Sequence, residues 1–297
     1  MVVLLKRLRR RLRQEKRCGL LNECYEVIHL GLLRLVAIDL DDTLLYPDRT
    51  ISPRAKRAIG AVQRLGSQVV LATGRMFCAA KPFALELELT GPLIAYQGAL
   101  VKTVAEENIW RHLHIPAGQL VQLLEWLEAE PVHINLYVDD QLYVEQMNST
   151  AERYAKYSRV EVKEVGRLSR LPFEAATKVV AIGDPDRLSD LQIRSQALFG
   201  PALAINRSYP HFLEFGHLEA TKSQALAWLG EKLGIGPAAM MAIGDGENDL
   251  DMIEYAGIGV AMGNAPAVIQ AAADFVTATN DADGVAIALE KYFNLTP

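Results

Sequence analysis

Leu35-Val36-Ala37-Ile38 runs directly into Asp39-Leu40-Asp41-Asp42-Thr43-Leu44. A short apolar run of this kind reads as a strand buried on both faces, the habit of a parallel sheet. Within a strand the side chains alternate, but just past its end the backbone turns. Asp39 and Asp41 can then face one crevice above the sheet. That edge, outside the carboxyl ends of parallel strands, is where open α/β sheets take ligands. Close carboxylates repel each other unless a cation neutralises them. The pair therefore asks for a metal, and oxygen ligands suit Mg²⁺.

The rest of the chain fits such a sheet. Ser52-Pro53 is an N-cap followed by proline at the first helical position. Ala55, Ala58, Ile59, Val62 and Leu65 recur at helical spacing, and Gly66 supplies the stop. Val69-Val70-Leu71-Ala72 is a second apolar strand, which ends at Thr73-Gly74-Arg75. The resulting βαβ unit places its two strands parallel and adjacent. Leu93 to Tyr96 reads as a third strand, ending at Gln97-Gly98-Ala99.

The middle of the chain changes character. Val132, Ile134, Leu136 and Val138 alternate with His133, Asn135 and Tyr137, and Asp139-Asp140 turns into Leu142-Tyr143-Val144. This predicts a hairpin with one polar face. Further strands are expected at Lys178–Ile182, Leu203–Ile205 and Phe212–Phe215, with helices near Thr150–Ser158 and Arg187–Phe199. The segment reads as an α+β module inserted in an α/β domain. From Thr221 the alternation of helix and strand returns. Met240–Ile243 is a strand that ends in Gly244-Asp245-Gly246-Glu247-Asn248-Asp249.

Composition narrows the partners. The chain has 297 residues and a net charge of −5, which favours neither nucleic acid nor an anionic membrane as a global partner. Cys18, Cys24 and Cys78 are too few and too irregular for a disulfide framework or a zinc site, so a reducing, cytoplasmic setting is expected. Residues 1–33 form a basic extension, with Lys6, Arg7, Arg9, Arg10, Arg11, Arg13, Lys16 and Arg17 against Glu15, Glu23 and Glu26. It reads as a solvated arm, with at most weak contact with an anionic membrane. Oligomeric state leaves no pattern here.

Polar chemistry now sits at four places: Asp39/Asp41, Thr73, Lys222 at a helix start, and Asp245 with Asn248-Asp249. With these in order, the chain resembles the haloacid dehalogenase superfamily. DxDxT matches Asp39 to Thr43, the second-motif hydroxyl matches Thr73, the third-motif lysine matches Lys222, and GDxxND matches Gly244 to Asp249. The long insertion between Thr73 and Lys222 is similar to the C2-type cap of the Cof-type, class IIB sugar phosphatases. The resemblance covers about residues 34–295. Two positions depart from the family pattern. Asp42 stands where many members have glycine, and Gln97 stands where the Cof pattern often has asparagine.

The resemblance implies a doubly wound, Rossmann-like parallel core at residues 34–108 and 214–297, with an α+β cap at 109–213. It also implies Mg²⁺-dependent hydrolysis of small phosphorylated metabolites, sugar phosphates first among them. Asp39 would be the nucleophile and form an aspartyl-phosphate. Asp41 would act as general acid and base. Thr73, Gly74, Lys222 and Asn248 would hold the phosphoryl group. Asp39, Asp41, Asp245 and Asp249 are the expected metal residues, Asp41 through its backbone carbonyl. Phosphotransfer within a sugar and non-catalytic sensing of a phosphometabolite stand as alternatives.

Other residues read less sharply. Arg75 has two readings, contact with substrate or a surface ion pair. Asp48 and Arg49 read as solvated loop residues. His112, His114, His133, His211 and His217 show no metal-ligand spacing and read as surface or cap residues. Tyr96, Tyr137 and Tyr143 read as packing.

Overall fold

The computed structural model describes residues 33–173 and 175–296; the expected basic arm therefore lies, apart from Leu33, outside the described residues. The first apolar run becomes β1 (Leu35–Ile38), with all four residues buried. Next comes α1 (Pro53–Arg64), which starts where the Ser52 hydroxyl accepts the Ala55 N–H at 3.0 Å. β2 (Gln68–Leu71) follows, then α2 (Phe77–Glu86) and β3 (Pro92–Ala95). β4 (Leu100–Thr103) and β5 (Ile109–His112) form an antiparallel sheet with β3.

The cap elements are α3 (Ala117–Glu128), β6 (His133–Val138), β7 (Gln141–Val144), α4 (Ser149–Ser158), β8 (Val162–Glu164), β9 (Lys178–Ile182), α5 (Pro185–Phe199), β10 (Leu203–Tyr209) and β11 (Phe212–His217). The chain then returns through α6 (Lys222–Leu233), β12 (Met240–Gly244), α7 (Leu250–Tyr255), β13 (Ile258–Ala261), α8 (Ala267–Ala272), β14 (Phe275–Val276) and α9 (Gly284–Phe293).

The core sheet has five parallel strands in the order β14-β13-β12-β1-β2. An Ala72–Ile94 bridge sets β3 beside the end of β2. Successive residues of β1 point to opposite faces. Val36 and Ile38 pack with α1, α2 and α9, while Leu35 and Ala37 pack with α6 and α7. Helices on both faces explain why the strands are apolar throughout rather than alternating. The doubly wound core is thus as expected.

The cap is a six-stranded sheet in the order β10-β11-β9-β6-β7-β8. One face, including Leu136, Val179, Leu213 and Phe215, packs with α3 and α5. The hairpin β6–β7 has the expected polar face, but that face is not solvated. Asn135 and Tyr137 are buried, and Tyr137 Oη donates to Tyr154 Oη of α4 at 2.7 Å. Alternation identifies two faces; it does not say that both are covered.

Strand pairing puts the junctions elsewhere than 108/109 and 213/214. Ile109–His112 pairs with β4, and Phe212–His217 pairs with β9 and β10 of the cap sheet. The chain therefore crosses at about 113–116 and 218–221, where Ile115 bridges Ala176. Spacing alone gives strands, not their partners.

His112 stands at this junction, with Nε2 2.8 Å from Thr177 Oγ1 and its ring 3.9 Å from that of His114. Burial, and then the neighbouring His114, hold it down at about 4, with Asp139 opposing and Lys102 adding to the depression. The unfolded chain takes up a proton near pH 6.5 that the fold refuses until about pH 4, so stability falls as pH drops through that window. After allowance for the partly exposed ring, the loss should be about 1–2 kcal/mol. Denaturation midpoints between pH 7 and pH 4 check this. The wild type should lose more stability than His112→Gln, and parallel curves would contradict it.

Candidate active site

Sheet register brings the motifs together. Ile38 of β1 lies opposite Ile243 of β12 and Leu71 of β2. Asp39, Asp245 and Thr73 therefore emerge side by side at the carboxyl edge. The Asp39 amide still donates to the Ile243 carbonyl at 3.0 Å, so Asp39 leaves the sheet in a fixed direction. Thr221 caps α6, its hydroxyl accepting from the Gln224 N–H at 3.2 Å, and Lys222 is the first residue of that helix.

Lys222 is fully buried. Its Nζ donates to Asp39 Oδ1 at 2.5 Å and to Asp249 Oδ1 at 2.6 Å. Asp249 Oδ2 accepts the amides of Asp245 and Gly246 at 3.1 and 3.0 Å. Gly244 makes room for this, since a Cβ there would lie 2.5 Å from Asp249 Cβ. Thr43 Oγ1 donates to Asp245 Oδ1 at 2.6 Å.

The charges are out of balance. Burial, reinforced by Asp249, pushes Asp39 well above the usual carboxylate range, with Lys222 opposing. Burial holds Asp245 at about 6 despite the Thr43 hydrogen bond. Burial would lower the Lys222 ammonium, but Asp249 and Asp39 outweigh it and raise it. Asp39, Asp245 and Asp249 bring carboxylate oxygens within 4.8 Å of one another. Lys222 can offset one of those three charges. An all-oxygen set with surplus negative charge fits a hard divalent cation such as Mg²⁺.

The Asp41 side chain does not join the three converging aspartates, and the metal contact expected of this residue is through its backbone carbonyl. Its carboxylate is turned to Arg75, which donates Nε to Oδ2 at 2.7 Å and a terminal nitrogen to Oδ1 at 2.5 Å. A bidentate guanidinium contact fixes that rotamer away from the three converging aspartates. Of the two readings for Arg75, the structure therefore gives an ion pair, but one inside the site. Thr73 Oγ1 accepts the Arg75 amide at 3.1 Å and is buried.

Gly74 lies under Gln97. A Cβ at 74 would come within 2.4 Å of Gln97 Nε2, so a larger residue would push that side chain out. Asn248 Nδ2 donates to Gln97 Oε1 at 3.0 Å. Asp42 has φ 56°, the left-handed region, which accounts for glycine being common in the family at this position. Asn264 Nδ2 donates to the Asp42 carbonyl at 2.8 Å and steadies that turn.

Asp39, Asp41, Thr73, Gly74, Lys222, Asp245, Asn248 and Asp249 all line one cleft of about 1000 Å³. The cap forms its roof with residues that carried no signal in the sequence. Lys178 and Glu214 pair at 2.6 Å, and Tyr154, Tyr157, Tyr209 and Phe212 add aromatic surface. The Arg49 guanidinium stacks 3.5 Å over the Tyr157 ring, so this core loop residue touches the cap instead of standing free in solvent. Asp48 meets its own loop, through Thr50. Tyr137 is buried and Tyr143 packs with Phe173, as packing residues should.

Comparison with known proteins bears on the family. The sequence profile of the haloacid dehalogenase-like hydrolases matches residues 36–289. A putative phosphatase of Haemophilus influenzae is 32% identical over 264 residues, 88% of this chain and 99% of that protein. The pyridoxal phosphate phosphatase YbhA of Escherichia coli is 29% identical, across 85% of this chain and 96% of its own. Among solved structures, a subclass IIB sugar phosphatase of the superfamily superposes with TM-score 0.76 at 25% identity, covering 88% of this chain and 99% of that one. The chain belongs to the haloacid dehalogenase-like hydrolases and is a phosphatase of that family.

Proposed function

We propose that the protein hydrolyses small phosphorylated metabolites, sugar phosphates among them, with Mg²⁺ and through a phosphoryl group carried on Asp39. The observation that carries this reading is the buried Lys222, which bridges Asp39 and Asp249 beside Asp245. A nucleophile, a fixed cation and surplus carboxylates at one sheet edge are what phosphoryl transfer needs. The pyridoxal phosphate and sugar phosphate specificities in the relatives' names favour hydrolysis of small monoesters over the transfer and sensing readings.

In the proposed chemistry, a carboxylate oxygen of Asp39 attacks phosphorus and the bond to the leaving oxygen breaks. Asp41 gives that oxygen its proton. Water then attacks the phosphorus, Asp41 takes the water's proton, and the bond to Asp39 breaks to release phosphate. Asp39 and Asp245, with the Asp41 carbonyl, would hold Mg²⁺, which supplies positive charge to the phosphoryl oxygens. Asp249 acts mainly on the protein side, since both its oxygens already accept hydrogen bonds from Lys222 and the 245–246 backbone. Thr73, Gly74, Lys222 and Asn248 surround the phosphoryl group. Arg75 occupies one lone pair on each Asp41 oxygen, which leaves the second lone pair of either oxygen for the proton that goes to the leaving oxygen.

The test is phosphate release from a panel of sugar phosphates, nucleotides and cofactor phosphates, with Mg²⁺ and with chelator. Turnover with Mg²⁺ that chelator reduces by at least about 10²-fold is expected, since the surplus carboxylates would otherwise repel the substrate. Turnover indifferent to chelator would contradict the metal assignment.

A further inference from the structure

Asp140 sits at the tip of the β6–β7 hairpin, outside the cleft lining. Asp139 and Asp140 form its two-residue turn with φ 50° and 61°. Two consecutive positive φ values suit Asn-Gly best, so an Asp-Asp pair there is strained. The strain has a use, because the Asp140 carboxylate reaches across to the core. Its Oδ1 accepts the Phe77 amide at 2.9 Å and the Tyr96 hydroxyl at 2.8 Å, and its Oδ2 accepts the Cys78 amide at 2.8 Å. Phe77 and Cys78 open α2, whose own N-cap residue, Met76, makes no side-chain cap bond. A cap residue thus supplies a core helix with its cap and fits the helix dipole.

The clamped partner is a second strained turn. Tyr96 and Gln97 have φ 51° and 58°. Their amides donate to the carbonyls of Arg75 and Thr73 at 2.9 and 3.0 Å. Gly98 then passes so close to Thr221 that a Cβ would lie 2.2 Å from its carbonyl oxygen. The turn touches the Thr73–Arg75 loop, the start of α6 before Lys222, and Asn248 through Gln97. We propose that Asp140 is a positioning residue: from the cap it clamps the Tyr96–Gln97 turn and so sets Gln97 against the phosphoryl pocket. This rests on the phosphatase reading above for its effect on rate, but not for the clamp itself.

Two readouts on the full chain test it, with Asp140→Ala, Asp140→Asn, Tyr96→Phe and Gln97→Ala. First, amide hydrogen exchange at Phe77, Cys78, Tyr96 and Gln97 should quicken by at least about tenfold in Asp140→Ala, with β12 amides unchanged. Unchanged exchange at Tyr96 and Gln97 would overturn the clamp. Should Asp140→Ala fail to fold, Asp140→Asn and Tyr96→Phe carry the same comparison with a smaller expected quickening. Second, Asp140→Ala and Gln97→Ala should each lower kcat/KM by about tenfold, and the double variant should be no worse than the weaker single one. Additive losses would overturn the link to Gln97. A wild type without turnover would count against the phosphatase reading, and the exchange data would then decide the clamp alone.

Discussion

Asp39→Asn should reduce phosphate release by at least about 10³-fold while the protein stays folded. Asparagine keeps the shape and can still accept from Lys222, but its amide is a poor nucleophile toward phosphorus. The fold should not suffer. Asp39 is buried and pushed well above the usual carboxylate range, so removing its charge relieves a desolvation cost. The expected pattern is lost turnover with a thermal midpoint at or above that of the wild type. A variant that keeps most of the wild-type rate would show that the nucleophile lies elsewhere.

Lys222→Met should act on both activity and stability. The side chain has 0% exposure, and its ammonium donates to two carboxylates. Methionine fills similar volume but leaves Asp39 and Asp249 buried without their cation. Breaking a buried ion pair by removing one partner costs about 3–5 kcal/mol. Turnover should fall with it, because the phosphoryl group loses a fixed positive charge. Denaturant midpoints and phosphate release on the same preparation check both effects. A variant as stable as the wild type would mean that the two aspartates are neutral in the fold.

These two results bear on the part of the site that was legible in the sequence. Apolar runs that end in Asp39, Thr73 and Asp245 give strands whose chemistry sits at one edge. Once β1 lies between β12 and β2, their meeting follows from register. Lys222 could be placed because the helical pattern begins there and the third-motif lysine matches it, and the structure adds Thr221 as the cap before it. Asp42 was legible only as a departure from the family pattern's glycine, and its φ of 56° shows what that position demands of the backbone.

What was not legible depends on contacts between distant segments. The bidentate Arg75–Asp41 pair joins residues whose separation carries no periodic signal. Tyr154, Tyr157 and Tyr209 come from a helix and a strand of the cap, and they meet the core only through the cap's placement. The cap junctions likewise follow from which strands pair, as β5 with β4 and β11 with β9. Asp139-Asp140 was readable as a turn, but the capping of α2 by Asp140 was not, since it crosses from cap to core.

The most direct measurement is to quench the wild-type enzyme in acid during turnover of its best substrate and map the digested protein by mass spectrometry. One added phosphoryl group is expected on the peptide that contains Asp39, absent in Asp39→Asn and lost when substrate is exhausted. Steady phosphate release with no phosphoryl adduct, or with the adduct on another residue, would contradict it.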